Sequence, residues 1–186
     1  MSMIHFTTVH PRTDTRIRVK EVATLAQGLE ADLRLHVQDG LGSETSEGYR
    51  IVDIGMRPAG RLRRVTLGAW RLYRSVAQAP PTVAHFHDPD MLPWAMLLRL
   101  RGVKIVYDVH EDYPRAVRVR NYIPRPLRPG IALAFAFLEW VGARVFDGVV
   151  AATPGIAERF PPHNTVLVQN FPLLDELSFE TPSAYE

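Results

Sequence analysis

The chain has 186 residues, 46% of them apolar. That is enough for one domain of ordinary size with its own core, and it excludes a wholly disordered chain. There is no cysteine, which excludes disulfides and thiolate metal sites and fits a reducing compartment, so a cytoplasmic protein is expected. The formal net charge of +2 hides an asymmetry, because Lys20 and Lys104 are the only lysines among 22 basic residues.

In chain order, residues 3–9 read as a first strand and His10 to Asp14 as a turn-rich loop. A helix is expected over 15–29, with Ile17, Val22, Leu25, Ala26 and Leu29 inward and Asp14 or Thr15 as its cap. Alternation over 32–38 marks a second strand. The polar run 39–48, DGLGSETSEG, reads as a mobile loop before a third strand at 49–54. A helix over 61–79 follows, with Leu62, Val65, Ala69, Leu72, Tyr73 and Val76 as its buried stripe and arginines opposite.

The stretch VAHFHDPDMLPWAMLLRLRGVKIVYDVHEDYP, residues 83–114, is one β-α-β unit. Its first strand stops at Asp88-Pro89, since proline has no N–H to donate. Its helix over 91–100 starts where Asp90 is placed to cap it and ends at Gly102. The second strand, 104–109, has the apolar run of a parallel sheet. A right-handed crossover sets both strands side by side, with His85, His87, Asp88 and Asp90 near His110, Glu111 and Asp112 at one carboxyl edge, where open α/β sheets bind ligands. Prolines at 124, 126 and 129 suggest irregular chain from 114 to 129. A helix over 130–146, a strand over 147–153, a short helix over 154–160 and a last strand over 165–169 complete the alternation. The class is α/β, a Rossmann-like doubly wound parallel sheet of six or seven strands.

No glycine fingerprint for a dinucleotide and no phosphate-binding P-loop occurs, so no cofactor is expected. His85, His87, Asp88, Asp90 and His110 include metal-ligand types, but the spacing departs from H-x-H-x-D-H at Pro89 and Asp90, and no metal is expected. His85 and His87 share a sheet face and read equally as near-core residues. His110, at a strand's end beside two acids, is either a group that exchanges a proton or a structural tie of loop to sheet. Two segments, 57–74 and 115–128, carry arginines without acids. They are solvated faces, or they meet an anionic membrane or a phosphate-bearing substrate. Nucleic acid is not expected, for no recognition signature accompanies them. The start, MSMIHFTTVHP, lacks a signal peptide's basic n-region, and the apolar run 131–138 is far shorter than the roughly 20 residues of a membrane span.

HFHDPDMLP followed by KIVYDVHEDYP resembles the N-terminal, acceptor-side domain of GT-B glycosyltransferases, specifically glycosyltransferase family 4. VHPRTDTRIRVKEVATLA, FDGVVAATPGIAERF and NTVLVQNFPLLDE resemble the family's first loop and helix, its late strand-helix pair and the approach to its interdomain linker. The resemblance implies one half of a two-domain retaining enzyme that moves a sugar from a nucleotide-sugar to a glycan or lipid-linked acceptor, in cell-surface polysaccharide synthesis. It assigns 1–172 to the Rossmann-like domain and 173–186 to the start of the linker, with the donor domain absent, so the isolated chain is expected to be inactive. By matching position, His110 is the catalytic residue. The acceptor-binding residues are His10, Arg12, Asp14, His87, Asp88, Glu111 and Asp112. Neither metal nor cofactor is implied. Proximity to an anionic bilayer at the inner face of the plasma membrane would suit a lipid-linked acceptor. Phe171, Leu173, Leu174 and Leu177 would then face the missing half. A non-catalytic flavodoxin-like module and half of a sugar-nucleotide epimerase are the alternatives.

Overall fold

The computed structural model describes residues 1–172. Eight strands form one sheet: β1 (Ser2–Phe6), β2 (Asp32–Val37), β3 (Glu44–Ser46), β4 (Tyr49–Asp53), β5 (Val83–Phe86), β6 (Lys104–Val109), β7 (Gly148–Ala151) and β8 (Thr165–Leu167). Their order is β3-β4-β2-β1-β5-β6-β7-β8, and every neighbouring pair is parallel except β3 with β4. The doubly wound α/β sheet is as expected, but its strands number eight rather than six or seven. The chain leaves β1 toward β2 on one side and β5 toward β6 on the other. The crevice between β1 and β5 is therefore the topological switch point.

The extra strand, β3, lies in the segment read as a mobile loop. That segment is tied down instead. Arg12 donates to both carboxylate oxygens of Asp39 at 2.6 Å, to the Gly42 carbonyl at 2.8 Å and to Glu44 at 3.1 Å. Asp53 accepts from the amides of Gly40 and Gly42. Both glycines have positive φ, 71° and 83°, which lets the turn close around these partners.

A π-helical stretch, Thr15–Val22, runs into α1 (Ala23–Gly28), and Asp14 rather than Thr15 caps it by accepting from the Ile17 amide. The second helical segment passes from α2 (Arg61–Arg63) through a π-helical stretch, Arg64–Gly68, into α3 (Ala69–Gln78). Leu62, expected in the buried stripe, is 77% exposed, because the wider turn rotates the segment's start away from the core. A 3-10 turn, Pro89–Met91, precedes α4 (Leu92–Leu100). Asp90 caps neither; its carboxylate accepts from the Thr8 hydroxyl instead. The region expected to be irregular contains α5 (Tyr113–Val119), capped by Asp112 through the Arg115 amide, with Pro114 where a first-turn proline is tolerated. A long helix, α6 (Arg128–Val145), and a short one, α7 (Pro154–Ala157), follow. No described helix is long and apolar enough to cross a membrane. Phe171 is exposed; Leu173, Leu174, Leu177 and the expected linker, 173–186, lie outside the described residues.

The two faces of the sheet differ in chemistry. Ile4, Phe6, Ala84, Phe86, Ile105 and Tyr107 point to one face and pack under α3, α4 and α6. Their neighbours Met3, His5, His85 and Asp108 point to the other, beneath the π-helical stretch, where Ile17, Val22, Leu33 and Leu35 supply the apolar part. Phe86 locks the strands that carry the site. Its ring stacks on Tyr107 with centroids 4.5 Å apart and meets the Phe146 ring edge at 5.6 Å. Phe86→Ala should destabilise the chain by about 3–5 kcal/mol, the usual loss for a buried aromatic, and denaturant unfolding followed by tryptophan fluorescence would measure it. A loss under about 1 kcal/mol would mean that this layer does not hold the strands in place.

Candidate active site

The site is built at the carboxyl ends of β1, β5 and β6, around Asp108. This carboxylate is fully buried. Arg16, also buried, donates to it twice, through Nε at 3.0 Å and Nη2 at 2.7 Å, and reaches the Val168 carbonyl through Nη1. His87 Nδ1 donates to the same carboxylate at 3.0 Å. His110 Nε2 also stands 3.0 Å from Asp108 Oδ2, although not aligned as a straight N–H···O bond. Burial alone would raise the Asp108 carboxyl; the donors around it, His110, His87 and Arg16, hold it well below the usual range instead.

An ionised Asp108 sets the tautomers of the rings behind it. With its proton on Nδ1, His87 accepts on Nε2 from His5 Nδ1, 3.1 Å away. His5, His85 and His87 are all held below their ordinary value by burial first, His85 at about 3, so they are neutral at pH 7. Glu21 completes the cluster, its carboxyl 3.1 Å from Arg16 Nε. One guanidinium is thus shared by two carboxyls. Asp108 takes the bidentate bond and ionises; burial and the Asp108 charge push Glu21 up to about 10. The π-helix makes the sharing geometrically feasible, because i to i+5 bonding brings Arg16 and Glu21, five residues apart, onto one side.

Among the described residues two groups have the atoms to hold a metal ion: His5, Glu21, His85 and His87, and again His87, Asp108 and His110. The donor types suit zinc. In the second group, however, Arg16 already compensates Asp108 and engages both of its oxygens; in the first, the only carboxyl, Glu21, is held protonated beside Asp108.

Above this base the first loop is stitched to β5. Asp88 accepts from the Thr7 hydroxyl at 2.6 Å and the Thr8 amide at 2.7 Å, and Thr8 Oγ1 reaches Asp90 at 2.9 Å. His10 thereby lies over His110, their rings stacked with centroids 5.5 Å apart, and His87 is 5.7 Å from His110. His10 Nδ1 pairs with Asp14 at 2.8 Å. That bond raises His10, while Asp14, despite its burial, is brought down to about 2 by the bonds from His10 and the Ile17 amide.

A cleft of about 530 Å³ opens over His110. Of the expected site residues, His10, His87, Asp88, Glu111 and His110 line it. Arg12, Asp14 and Asp112 do not. Arg12 is spent on the 39–44 segment, Asp14 caps the first helix and holds His10, and Asp112 caps α5 and pairs with Arg159 at 3.1 Å. The expectation at fault was that a polar residue in a cleft-edge loop points into the cleft; these three satisfy backbone and ion-pair demands of their own loops. Sequence reasoning missed Arg61, Arg64, Tyr113, Arg120 and Tyr122, which form the walls. The two acid-free arginine segments were their signal: Arg61 lies over the Tyr122 ring at 3.8 Å, so the segments meet across the cleft. Arg16, Glu21 and the two threonines were missed as well, and nothing in their spacing marked them.

The sheet, with its switch-point cleft between β1 and β5, has the fold of one half of a GT-B glycosyltransferase. The sequence profile of Glycosyltransferase Family 4 matches residues 19–166, and the chain belongs to that family. No curated protein sequence matches it. Solved structures share the fold at low identity. Sucrose-phosphate synthase from Thermosynechococcus elongatus aligns with TM-score 0.63 and 12% identity, over 90% of this chain and 47% of that one. Phytolacca americana UGT2, complexed with UDP-2fluoro-glucose and pterostilbene, aligns with TM-score 0.58 and 7% identity, over 92% and 54%. A UDP-forming α,α-trehalose-phosphate synthase from Burkholderia xenovorans gives TM-score 0.53 and 13% identity, over 87% and 41%. The chain thus spans about half the length of these enzymes.

Two outcomes are expected of the buried cluster. Asp108→Asn removes the bidentate partner of Arg16, and Glu21, 3.1 Å from the same guanidinium, then ionises in its place. The loss should therefore fall short of the roughly 3–5 kcal/mol of a broken buried pair; chemical denaturation reads this, and a loss of that full size would show that Glu21 does not take over. Glu21→Gln should change the pH profile. The unfolded chain gives up the Glu21 proton near 4.3, whereas the folded chain keeps it to about 10. The contribution of Glu21 is therefore full below about pH 4 and is lost progressively as pH rises through this window. The melting-temperature gain of the Gln variant should grow between pH 5 and pH 9, and a pH-independent difference would show Glu21 to be ionised in the folded protein.

Proposed function

We propose that the chain is the acceptor-binding half of a retaining glycosyltransferase of the hexosyl type, moving a sugar from a nucleotide-sugar to a glycan or lipid-linked acceptor in cell-surface polysaccharide synthesis. A second half would hold most of the donor. The reaction would take place on the cytoplasmic side, with exposed arginines near an anionic bilayer, and neither metal nor cofactor takes part. The chain alone would bind acceptor without turning over.

The observation that carries this reading is the placement of His110: its ring is 22% exposed, at the floor of the cleft, with its inner nitrogen against buried Asp108. Departure of the nucleotide leaves positive charge developing on the sugar and negative charge on the phosphate. A ring fixed by Asp108 can hydrogen-bond a sugar hydroxyl at that moment without reorganising, and such positioning contributes to rate. His10, Asp88 and Glu111 line the same cleft and would meet the acceptor. Arg12, Asp14, His87 and Asp112 would act through them, by fixing loops and rings.

An epimerase would need carboxylates available as acid and base. Here Asp88 and Asp108 are bound by buried donors, and Glu111 pairs with Arg120.

In the two-domain enzyme, His110→Ala should lower turnover by about 10²–10⁴-fold, the range supplied by a positioned proton donor or acceptor. Its melting temperature should stay near that of the parent, because Arg16 and His87 still satisfy Asp108. Near-normal turnover would remove His110 from the mechanism; failure to fold would make it a structural tie.

A further inference from the structure

The cleft has an unequal charge inventory. Its acids are all engaged. Asp108 is held by Arg16 and His87, Asp88 by Thr7 and Thr8, Asp90 by Thr8, and Glu111 by Arg120. Burial, with Asp88 next to it, raises Asp90 to about 7, so its negative charge is partly suppressed near neutral pH. The arginines are not equally engaged. Among the described residues, neither Arg61 nor Arg64 has a carboxylate within ion-pair distance. The Nε of Arg64 is buried and has no hydrogen-bond partner. A buried donor on a charged group left unpaired is costly, and it is rare unless a ligand or water completes it.

Both arginines stand where a ligand would pass. They line the cleft over His110 and also the adjoining hollow of about 910 Å³ at the ends of β1, β2 and β4, so they occupy the wall between the two. The Arg61 guanidinium is kept in place from below by the Tyr122 ring, 3.8 Å away, and Arg120 holds the Tyr122 hydroxyl at 3.2 Å. Stacking leaves the edge of a guanidinium, with its N–H fork, directed outward. The fork matches the paired oxygens of a phosphate in a way that a lysine does not.

We propose that the acceptor taken by this cleft is phosphorylated: a phosphate or diphosphate group seats between Arg61 and Arg64 while the hydroxyl to be glycosylated reaches His110. The proposal rests on the transferase reading and narrows its acceptor class. Arg64 has only the partly suppressed charge of Asp90 close by, and Arg61 has no carboxylate within ion-pair distance among the described residues, so a neutral acceptor would leave the wall with an excess of positive charge.

The same chemistry is offered by a soluble sugar phosphate and by a lipid diphosphate. Calorimetric titration of the full chain with inorganic pyrophosphate, glucose 6-phosphate and farnesyl diphosphate separates them. Saturable binding of pyrophosphate is expected, weakened about tenfold or more in each of Arg61→Gln and Arg64→Gln, as loss of a charge-assisted bond implies. Arg71→Gln, on the same helical segment but outside the cleft, should bind as the parent does. Tighter binding of glucose 6-phosphate than of pyrophosphate assigns a soluble acceptor; tighter binding of farnesyl diphosphate assigns a lipid-linked one. No saturable binding of any of the three overturns the proposal, as does binding indifferent to both cleft variants or equally weakened by Arg71→Gln. Because the titrations use no donor, they fail or succeed apart from turnover. Arginine-dependent binding in an enzyme that transfers no sugar would refute the transferase reading and leave the anion site standing.

Discussion

The buried pair between Arg16 and Asp108 is the constraint on which the other features of the site depend. A carboxylate with no solvent exposure is tolerable only when its charge and its lone pairs are met in place. Arg16 meets the charge, His87, just past β5, donates a further bond, and His110 stands 3.0 Å away. The requirement fixes where the first helix lies over the sheet, since Arg16 must point inward from it. It fixes the tautomer of His87, and through His87 that of His5. It also orients His110, whose exposed side is the part of the ring that can act. The Arg16, Asp108, His87 and His5 chain is bonded in sequence, while the outer nitrogens of His5 and His85 and the Glu21 carboxyl lack a hydrogen-bond partner, a cost that the apolar face has to offset.

The division of labour between the two faces of the sheet follows from this. The face under α3, α4 and α6 is apolar and stacked with aromatics, and it supplies the cohesion. The opposite face is allowed a polar interior only because the first helix covers it and brings its own cation. Period-two alternation along β5 and β6 sends Phe86 and Tyr107 to the cohesive face and His85, His87 and Asp108 to the polar one. The strands that carry the site are therefore clamped from behind by the stacked Phe86 and Tyr107 rings. A site meant to hold a sugar in one orientation needs such rigid support, and it sits at the switch point, where no crossover connection blocks access.

The walls of the cleft are built differently from its floor. The floor is made from strand ends. The walls come from the segment after Gly60 and from the chain around α5, two arginine-bearing stretches far apart in sequence that meet through Arg61 and Tyr122. Loops and helix starts vary more readily than strand ends. In this chain those walls carry Arg61, Arg64 and Arg120.

The sequence by itself determined the elements whose signals are local. Apolar runs and alternation marked seven of the eight strands, the turn residues marked their ends, and the β-α-β unit of 83–114 put His87 and His110 at one edge, because the handedness of that connection leaves no other choice. DVHEDYP placed His110 at the end of β6, where the cleft opens. Tertiary structure alone decided which polar residues turn inward. Arg12, Asp14 and Asp112 look like ligand-binding residues in a string of letters, yet each answers a need of its own loop. Arg16 and Glu21 look like ordinary solvated charges on a helix, yet Arg16 is buried and Glu21 half-buried, because a π-helical turn rotates them onto the face where Asp108 lies, 92 residues from Arg16. No periodicity encodes that rotation, and no local pattern records the Asp108 charge that makes it favourable. The short strand β3 was hidden for the same reason: its pairing is held by Arg12, from a loop some thirty residues earlier in the chain.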